Sequence, residues 1–268
     1  MYQLFSPNLF LKISKYLIPI SGCLFLISIP VGLYFSLYAS PEDYQQKEMV
    51  RIMYVHVPAA WMSLGIYTFI AICSFSCLVW RTRISYVLAV AAAPIGAGFA
   101  LITLVTGSIW GKPIWGTWWV WDARLTSMLV LFFIYISYIA IVNSGNSLLR
   151  AEKPASVMAI IGLINIPIVK FSVDIWYSLH QPAIILKIGG PSIHPSMLLP
   201  LFIMFGSFIM YFVFVLLIRA RIVMYKIKNN KFLNELYSAK NYINSVSNSS
   251  DFDLNILILI NKYQKDIK

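Results

Sequence analysis

Charged residues are scarce in this chain. Lys, Arg, Asp and Glu make up 12% of its 268 residues, whereas a soluble domain carries about 25%. Hydrophobic residues make up 59%, and they are concentrated in blocks long enough for a transmembrane helix, which needs about 20 apolar residues. A soluble globular fold is therefore excluded, and the sequence predicts an all-α integral membrane protein.

Cysteine is also scarce, and all three cysteines, Cys23, Cys73 and Cys77, lie in the apolar blocks. Cys73 and Cys77 are one helical turn apart, and small apolar packing is their expected role. A thiol-redox function is therefore set aside. The sequence has no phosphate-binding loop and no compact basic domain of the kind that binds nucleic acid. An ATPase and a nucleic-acid-binding protein are excluded as well.

Six apolar blocks are predicted to cross the membrane: Leu17–Tyr38, His56–Trp80, Ile84–Ile109, Leu125–Val142, Ala155–Trp176 and Met197–Ile218. The apolar run of the first is longer than the core of a signal peptide, so this helix is expected to be retained. The spans form a six-span membrane domain over residues 1–221. Residues 222–268 are rich in Asn, Ser and Lys and are expected to form a polar, disordered tail on the inner side.

Lys and Arg are distributed unevenly between the two sides of the membrane. The side that holds both termini carries most of them, including Arg81, Arg83, Arg150, Lys153 and Arg219. Because inner loops carry an excess of Lys and Arg, both termini are predicted on the inner side. Residues 39–55, 110–124 and 177–196 then form outer loops. The formal net charge of +11 mostly reflects this bias and the basic tail.

The second outer loop, between the third and fourth spans, is unusually rich in tryptophan. The stretch WGKPIWGTWWVWDARLTS (110–127) contains five of the eight tryptophans of the chain. An aromatic belt at the membrane interface needs only one or two per helix end. Five of them, interrupted by glycine and proline, favour an irregular loop that offers aromatic faces to a flat hydrophobic ligand. The candidate binding residues are Trp110, Gly111, Trp115, Gly116, Trp118, Trp119, Trp121 and Asp122.

Histidine occurs three times, always on the predicted outer side: His56 enters the second span, His180 follows the fifth and His194 precedes the sixth. A lone histidine at a helix end is usually only a polar cap. Two at similar depth beside the tryptophans suggest the axial ligands of a planar metal macrocycle. Zinc is disfavoured, because it normally takes three or four ligands and no cysteine or carboxylate cluster lies nearby.

Basic residues border the same loops and supply the third feature of this predicted site. They are Arg51, Lys112, Arg124 and Lys187. Each alone is ordinary surface charge, but together they suit the carboxylates of an amphipathic ligand such as haem, which Arg binds best through bidentate hydrogen bonds. Arg51 and Arg124 are the candidate partners of the haem propionates. No catalytic residue and no metal site other than the haem iron is expected.

The tryptophan-rich stretch closely resembles the WWD signature of haem-handling proteins in cytochrome c maturation. With six spans and with a histidine in each flanking outer loop (MYVHVPAAWMS and SLHQP), the chain resembles the CcmC family over about residues 12–220. The resemblance implies that haem b binds at the outer face, with His56 and His180 as axial ligands. It also implies that the tryptophan loop docks the haem chaperone CcmE, to which haem becomes covalently attached.

The resemblance further implies partners and a location. CcmA and CcmB, which are ABC transporter subunits, and the small membrane protein CcmD would join this chain in a CcmABCD complex. The haem site would face the periplasm from the bacterial inner membrane, with the mitochondrial inner membrane as the alternative location. The protein would bind haem and hand it over, and it would not be an enzyme.

Two departures from the family pattern and several rival functions stay open. Pro182 follows shortly after His180 where a small residue is expected, and His194 is a further candidate ligand, although His180 is favoured. A haem permease would need ionisable residues at mid-membrane depth, whereas Lys170 and Asp174 lie near the outer end of the fifth span. A cytochrome b-like electron carrier would place its histidines inside the bundle, and a membrane anchor would bind no haem.

Overall fold

The six predicted membrane spans are present as helices in the computed structural model of the chain, which describes residues 6–145, 147–176, 178–180 and 193–246. Each of the six is long and apolar enough to cross a bilayer. Within the described residues, the one strand-like feature is an isolated bridge between Asp43 and Lys47. The prediction of an all-α membrane protein with six spans is confirmed.

Seven α-helices in the described ranges build the six spans, because the fifth span is divided in two. They are α1 (Pro7–Tyr34), α2 (Met53–Trp80), α3 (Arg83–Trp115), α4 (Ala123–Asn143), α5 (Glu152–Gly162), α6 (Asn165–Ile175) and α7 (Pro195–Val246). A π-helical turn, Phe35–Ala39, extends α1, and a 3-10 turn, Glu48–Ile52, leads directly into α2. His56 therefore lies near the start of a helix.

Small residues allow α3 to occupy the centre of the bundle. Of its most apolar window, 67% is buried inside the protein, against 17% for α1. Ala92, Gly96 and Ala100, which recur at four-residue spacing, are all buried. A Cβ at Gly96 would overlap the Tyr135 ring of α4, and the Tyr135 hydroxyl donates to the Ser63 carbonyl of α2 (2.6 Å). Close approach and a buried hydrogen bond thus join α2, α3 and α4.

The last span packs against both α1 and α3. A Cβ at Gly22 of α1 would lie 2.9 Å from the Phe214 ring of α7, so the glycine permits close contact between these helices. Arg219 of α7 donates from Nε to the Ala91 carbonyl of α3 (3.1 Å). Such a hydrogen bond satisfies both a charged group and a backbone carbonyl where few other partners exist.

The third span ends later than predicted. The sequence placed its end near residue 109 and an irregular loop from residue 110, but α3 continues to Trp115, so Trp110 and Trp115 are helical. Gly116 ends the helix in the left-handed conformation (φ 77°), and its N–H donates to the Lys112 carbonyl (3.0 Å). The boundary was wrong because hydropathy marks the end of an apolar run, whereas a helix ends where its last carbonyls are capped.

The fifth span is interrupted between α5 and α6. Pro167 has no N–H, and its ring clashes with the carbonyl of a residue four positions earlier in a regular helix, here Leu163. That carbonyl instead accepts from the Ile166 N–H (3.1 Å), a tighter 3-10-type bond. At the break, the Asn165 side chain donates to the Ser127 carbonyl of α4 (2.9 Å). A side chain at the interruption therefore forms a hydrogen bond between the fifth span and the fourth.

The chain divides after Val223 into two compact units. In the second unit, the described part is the continuation of α7 as far as Val246. Residues 247–268 of the predicted tail lie outside the described residues. The division into a membrane domain over residues 1–221 and a tail over 222–268 stays a prediction, as does the placement of the termini on the inner side.

Candidate functional site

A cavity of about 270 Å³ lies at the end of the bundle where α3 ends and α4 begins. Side chains of α2, α3, α4 and α6 form most of its wall, together with the segment that contains His180. Its aromatic wall includes Trp61, Trp110, Trp115 and Trp119, and its polar groups include His56, Arg124 and His180. An apolar cavity with a few convergent polar groups is the usual form of a ligand site.

His56 is held in one orientation by residues of α3. Its side chain is nearly buried, with 8% exposed, and its Nδ1 lies 3.0 Å from the Thr106 hydroxyl oxygen. A Cβ at Gly107 would lie 2.9 Å from His56 Cε1, so only glycine leaves room for the ring. Trp110 packs edge-on against the ring, with centroids 5.6 Å apart. The orientation of His56 is therefore set by the packing of α2 against α3.

His180 is positioned by Asp122 through a short chain of hydrogen bonds. The His180 backbone N–H donates to the Ser178 hydroxyl oxygen (3.0 Å), and this hydroxyl donates to the Asp122 carboxylate. The other carboxylate oxygen accepts from the Leu125 N–H (2.8 Å) and caps α4. One largely buried aspartate therefore starts a helix and also holds the segment that carries a candidate ligand.

The rings of His56 and His180 meet in the cavity, with centroids 6.3 Å apart and planes inclined by 32°. Two imidazoles that bind one metal ion from opposite sides, with metal–nitrogen bonds of about 2.0 Å and a ring radius of about 1.1 Å, have centroids roughly 6 Å apart. Among the described residues no group of three His, Cys, Asp or Glu is placed to hold a metal ion. The donor set fits haem, whose macrocycle supplies the remaining iron ligands.

Two of the tryptophans contact the histidine pair. Trp110 packs against His56 as described, and Trp115 lies 6.3 Å from His180 between ring centroids. Gly111 makes room for the second of these contacts, because a Cβ there would lie 2.7 Å from the Trp115 ring. The extension of α3 beyond residue 109 thus places one indole beside each histidine.

The other three tryptophans lie in the connection after Gly116 and face in different directions. Trp119 lines the cavity, and its Nε1 is buried. Trp121 packs edge-on against Trp119 at 5.5 Å, yet it is 76% exposed, and Trp118 is 55% exposed. The Lys112 ammonium lies 5.9 Å from the Trp118 ring centroid. One indole is therefore turned towards the cavity and two are turned towards the surroundings.

Arg124 is the cation that lines the cavity together with Lys170. Its Nη1 is 3.5 Å from His180 Nδ1, and its Nη2 donates to the Lys170 carbonyl (3.2 Å). Its Nε is buried and has no hydrogen-bond partner in the described part of the chain. Arg51 forms an ion pair with Glu48, with 2.6 Å between Nε and Oε2, and is not one of the described residues that line the cavity.

The third histidine is separate from the pair. His194 lies just before α7, with its Nδ1 2.7 Å from the Ser196 hydroxyl oxygen, and it does not line the cavity as the described residues define it. Of the two candidate ligands that the sequence offered beside His56, His180 is the one whose ring lies near that of His56. Lys187 and Pro182 lie outside the described residues.

Residues 1–234 of the chain match the family described as Heme exporter protein C, CcmC. The chain is 45% identical to heme exporter protein C of Bradyrhizobium diazoefficiens over 211 residues, which are 79% of this chain and 80% of that protein. The chain belongs to the CcmC family.

Other relatives come from bacteria and from mitochondria. The identity is 43% over 201 residues to heme exporter protein C of Escherichia coli strain K12, covering 75% of this chain and 81% of that protein. It is 51% over 189 residues to a ccmC-like mitochondrial protein of cytochrome c biosynthesis from Marchantia polymorpha, covering 70% and 79%. CcmC proteins are haem-handling membrane components and not enzymes, so this chain has a role in haem handling for cytochrome c maturation.

Four supporting residues of this candidate site were not found from the sequence: Thr106, Gly107, Ser178 and Gln46. Thr106 and Gly107 lie one helical turn before Trp110 and Gly111. If the helix had been predicted to extend to residue 115, Thr106 and Gly107 would have been placed on the same helix face as Trp110 and Gly111. Ser178 lies two residues before a candidate ligand. Gln46 accepts a hydrogen bond from Trp110 Nε1 (2.9 Å), and no local pattern indicates a contact across so long a stretch of sequence.

Proposed function

We propose that the chain binds haem b in this cavity, at the outer face of the membrane, and presents it to a CcmE-like chaperone for covalent attachment. The observation that carries the proposal is the pair of rings of His56 and His180, 6.3 Å apart in a largely apolar cavity. These two residues are the proposed axial ligands. Haem supplies the iron that they bind and the vinyl group through which it is joined to the chaperone.

The tryptophans support this proposal because they suit a flat apolar ligand. Trp110 and Trp115 each contact one histidine, and Trp119 lines the same cavity. Indole side chains offer large, rigid apolar surfaces, so they favour a porphyrin and keep water from the histidine nitrogens. Gly111 and Gly116 contribute indirectly, the first by leaving space for an indole and the second by ending α3.

The acidic groups of haem have a suitable partner in Arg124. Its Nε is buried without a hydrogen-bond partner among the described residues, and a buried unpaired donor is costly. A propionate would accept from it, since guanidinium and carboxylate groups pair in bidentate geometry. Arg51 is the second candidate, and it would have to leave its ion pair with Glu48 to take this role.

Docking of the chaperone is assigned to the exposed part of the tryptophan loop. Trp118 and Trp121 are 55% and 76% exposed, and exposed tryptophans are enriched among the residues that dominate protein–protein binding. Asp122 follows directly and fixes the end of the loop on α4. We infer that the loop binds haem with one side and the chaperone with the other.

Presentation is favoured over the alternative function, a haem permease. The polar groups of the cavity lie at one end of the spans: His56 near the start of α2, Arg124 at the start of α4 and His180 after α6. A permease would need polar groups deep within the bundle to line a route across it. The arrangement instead suits a ligand that is loaded and released on one side.

The location and the partners are proposed on two grounds. The excess of Lys and Arg on the opposite side supports a haem site on the periplasmic side of the bacterial inner membrane, or on the equivalent side of the mitochondrial one. Family membership suggests that CcmA, CcmB and CcmD are the membrane partners and that CcmE receives the haem.

The test uses the full chain, purified in mild detergent with a CcmE-like chaperone co-expressed. Visible spectra are recorded for the wild type, for His56→Ala and His180→Ala, and for His194→Ala as the matched control. We expect low-spin haem in the wild type and the control, its loss in the other two variants, and partial restoration by added imidazole. A wild type without haem, or an unchanged spectrum in both variants, would remove the axial pair.

A further inference from the structure

We propose that the two axial positions are unequal: His56, held by Thr106, is the anchoring ligand, and His180 is the ligand that exchanges. This inference rests on the proposed function, since it concerns the order in which the two iron–nitrogen bonds form and open. It follows from the hydrogen bonds that surround each ring.

The proton of one hydroxyl determines which nitrogen of His56 is available to iron. Thr106 Oγ1 lies 2.6 Å from the Ile102 carbonyl oxygen and 3.3 Å from that of Thr103. Carbonyl oxygens only accept, so the single hydroxyl proton of Thr106 is donated to the backbone. The Thr106 oxygen then accepts, and the donor is His56 Nδ1, 3.0 Å away.

The neutral ring of His56 therefore carries its proton on Nδ1 and has a lone pair on Nε2. A hydrogen bond from the second ring nitrogen fixes the tautomer and increases the basicity of the nitrogen that binds the metal. Gly107 and Trp110 restrict the same ring by contact. His56 is thus ready to bind iron before haem arrives.

His180 is held in the opposite way. Arg124 Nη1 lies 3.5 Å from His180 Nδ1, and a guanidinium group can only donate hydrogen bonds. Nδ1 therefore accepts at this contact, and the proton of the neutral ring is on Nε2. To bind iron, His180 must either move that proton or displace Arg124, so ligation here competes with an existing interaction.

The two ligands also differ in how firmly the backbone holds them, and here too His56 is the more firmly held. His56 is carried by α2, whereas His180 lies in a segment outside the helices and is held through the Ser178 hydroxyl. The bond from iron to His180 is accordingly the last to form and the first to open. When it opens, Arg124 regains its contact with His180, and the haem face on that side becomes accessible to an incoming ligand.

The first test removes the Thr106 hydroxyl. Thr106→Val keeps the shape of the side chain but removes the hydroxyl oxygen that accepts from His56 Nδ1–H. Ferric haem is titrated into the full chain in detergent, and the low-spin Soret band is followed. We expect the apparent affinity to fall about 10- to 100-fold, as when other hydrogen-bond partners of metal ligands are lost, and Thr106→Ser to restore it.

Thr68→Val is the matched control for this titration. Thr68 donates to the Leu64 carbonyl (2.9 Å) in the same helical pattern, and it is not a residue of the cavity wall. We expect it to bind haem as the wild type does. Equal affinities for Thr106→Val and Thr68→Val would overturn the role of Thr106.

A second measurement needs no haem. In a chain with His180→Gln and His194→Gln, His56 is the one remaining histidine, and ¹⁵N NMR of the labelled ring reports which nitrogen carries the proton. We expect the Nδ1–H tautomer to predominate in this chain. When Thr106→Val is added to the same chain, we expect that tautomer no longer to predominate. A ring protonated on Nε2 would contradict the inference whatever the haem affinity.

The third measurement compares the two ligands directly. We expect His180→Ala to retain haem in a five-coordinate state that added imidazole converts to six-coordinate, and His56→Ala to retain much less haem on purification, with imidazole acting only on that remaining fraction. Equal retention, or the reverse order, would overturn the inequality and leave the axial pair intact. An unchanged low-spin spectrum in both variants would instead overturn the proposed function itself.

Discussion

Replacing Asp122 with Ala removes two hydrogen bonds at once, and the size of each effect follows from the structure. One carboxylate oxygen accepts from the Leu125 N–H (2.8 Å), and losing such a helix cap costs about 1 kcal/mol. The other accepts from the Ser178 hydroxyl, and a hydrogen bond to a charged group contributes about 1.5–3 kcal/mol. The residue is 9% exposed, so water replaces neither bond efficiently.

The second of these bonds is expected to affect haem binding. Ser178 also accepts from the His180 N–H (3.0 Å), so its bond to Asp122 holds the ligand-bearing segment in place. A loss of about 1.5–3 kcal/mol lowers the ratio of correctly placed to displaced His180 segment roughly 10- to 100-fold, since about 1.4 kcal/mol corresponds to a factor of ten in an equilibrium constant. Ser178→Ala removes this bond and leaves the cap of α4 intact.

The assay combines haem titration with thermal unfolding for Ser178→Ala, Asp122→Ala and Asp122→Asn. Asn is expected to keep the helix cap, because its side-chain oxygen accepts as well as that of Asp. We expect Ser178→Ala and Asp122→Asn to weaken haem binding with little change in Tm, and Asp122→Ala to lower both. Wild-type affinity in Ser178→Ala together with weak binding in Asp122→Ala would refute the reasoning, because Asp122 would then act by another route.

Three further predictions concern packing, docking and stability. Gly107→Ala is expected to weaken haem binding in a titration by about 5- to 150-fold, because its Cβ would lie 2.9 Å from the His56 ring and overpacking costs about 1–3 kcal/mol. Replacing both Trp118 and Trp121 with Ala is expected to abolish co-purification of the chaperone and to preserve haem binding, because both side chains point outwards. Tyr135→Phe is expected to lower the free energy of unfolding in detergent by about 0.5–1.5 kcal/mol through one lost hydrogen bond.

Each of these variants has a matched control. Gly65→Ala adds a Cβ with nothing within 4 Å, so haem affinity should not change. Trp80→Ala removes a tryptophan that is 59% exposed at the other end of α2, and the chaperone should still co-purify. Tyr16→Phe removes the hydroxyl of a tyrosine that is 61% exposed, with no loss of stability expected. Equal effects in a variant and its control would contradict the corresponding assignment.

Asp122, the acidic residue of the tryptophan motif, shows which information about a site a sequence motif provides and which it does not. In the sequence, Asp122 was grouped with the tryptophans that are expected to contact haem. In the structure it accepts hydrogen bonds from Leu125 and Ser178 and supports the site from outside the cavity wall. Motif spacing identifies residues that belong to one site, but it does not separate those that touch the ligand from those that position others.

The sequence by itself determined the class of the protein and its six spans, because the burial of about 20 apolar residues in lipid is a local property of each segment. It also indicated the residue types of the site, since five tryptophans in one stretch and histidines near the ends of spans are visible without any tertiary contact. The end of α3 was missed by six residues, because a positive φ at Gly116 and not hydropathy ended the helix.

Only the tertiary structure decided which histidine meets His56, because His180 and His194 both lie between the last two spans and their distances to α2 depend on how the helices pack. Packing likewise decided that Thr106 accepts from a histidine of another helix and that Trp119 turns inwards while Trp121 turns outwards. These are contacts between residues distant in sequence. They depend on side-chain shape and close approach across the bundle, for which a pattern along the chain carries no signal.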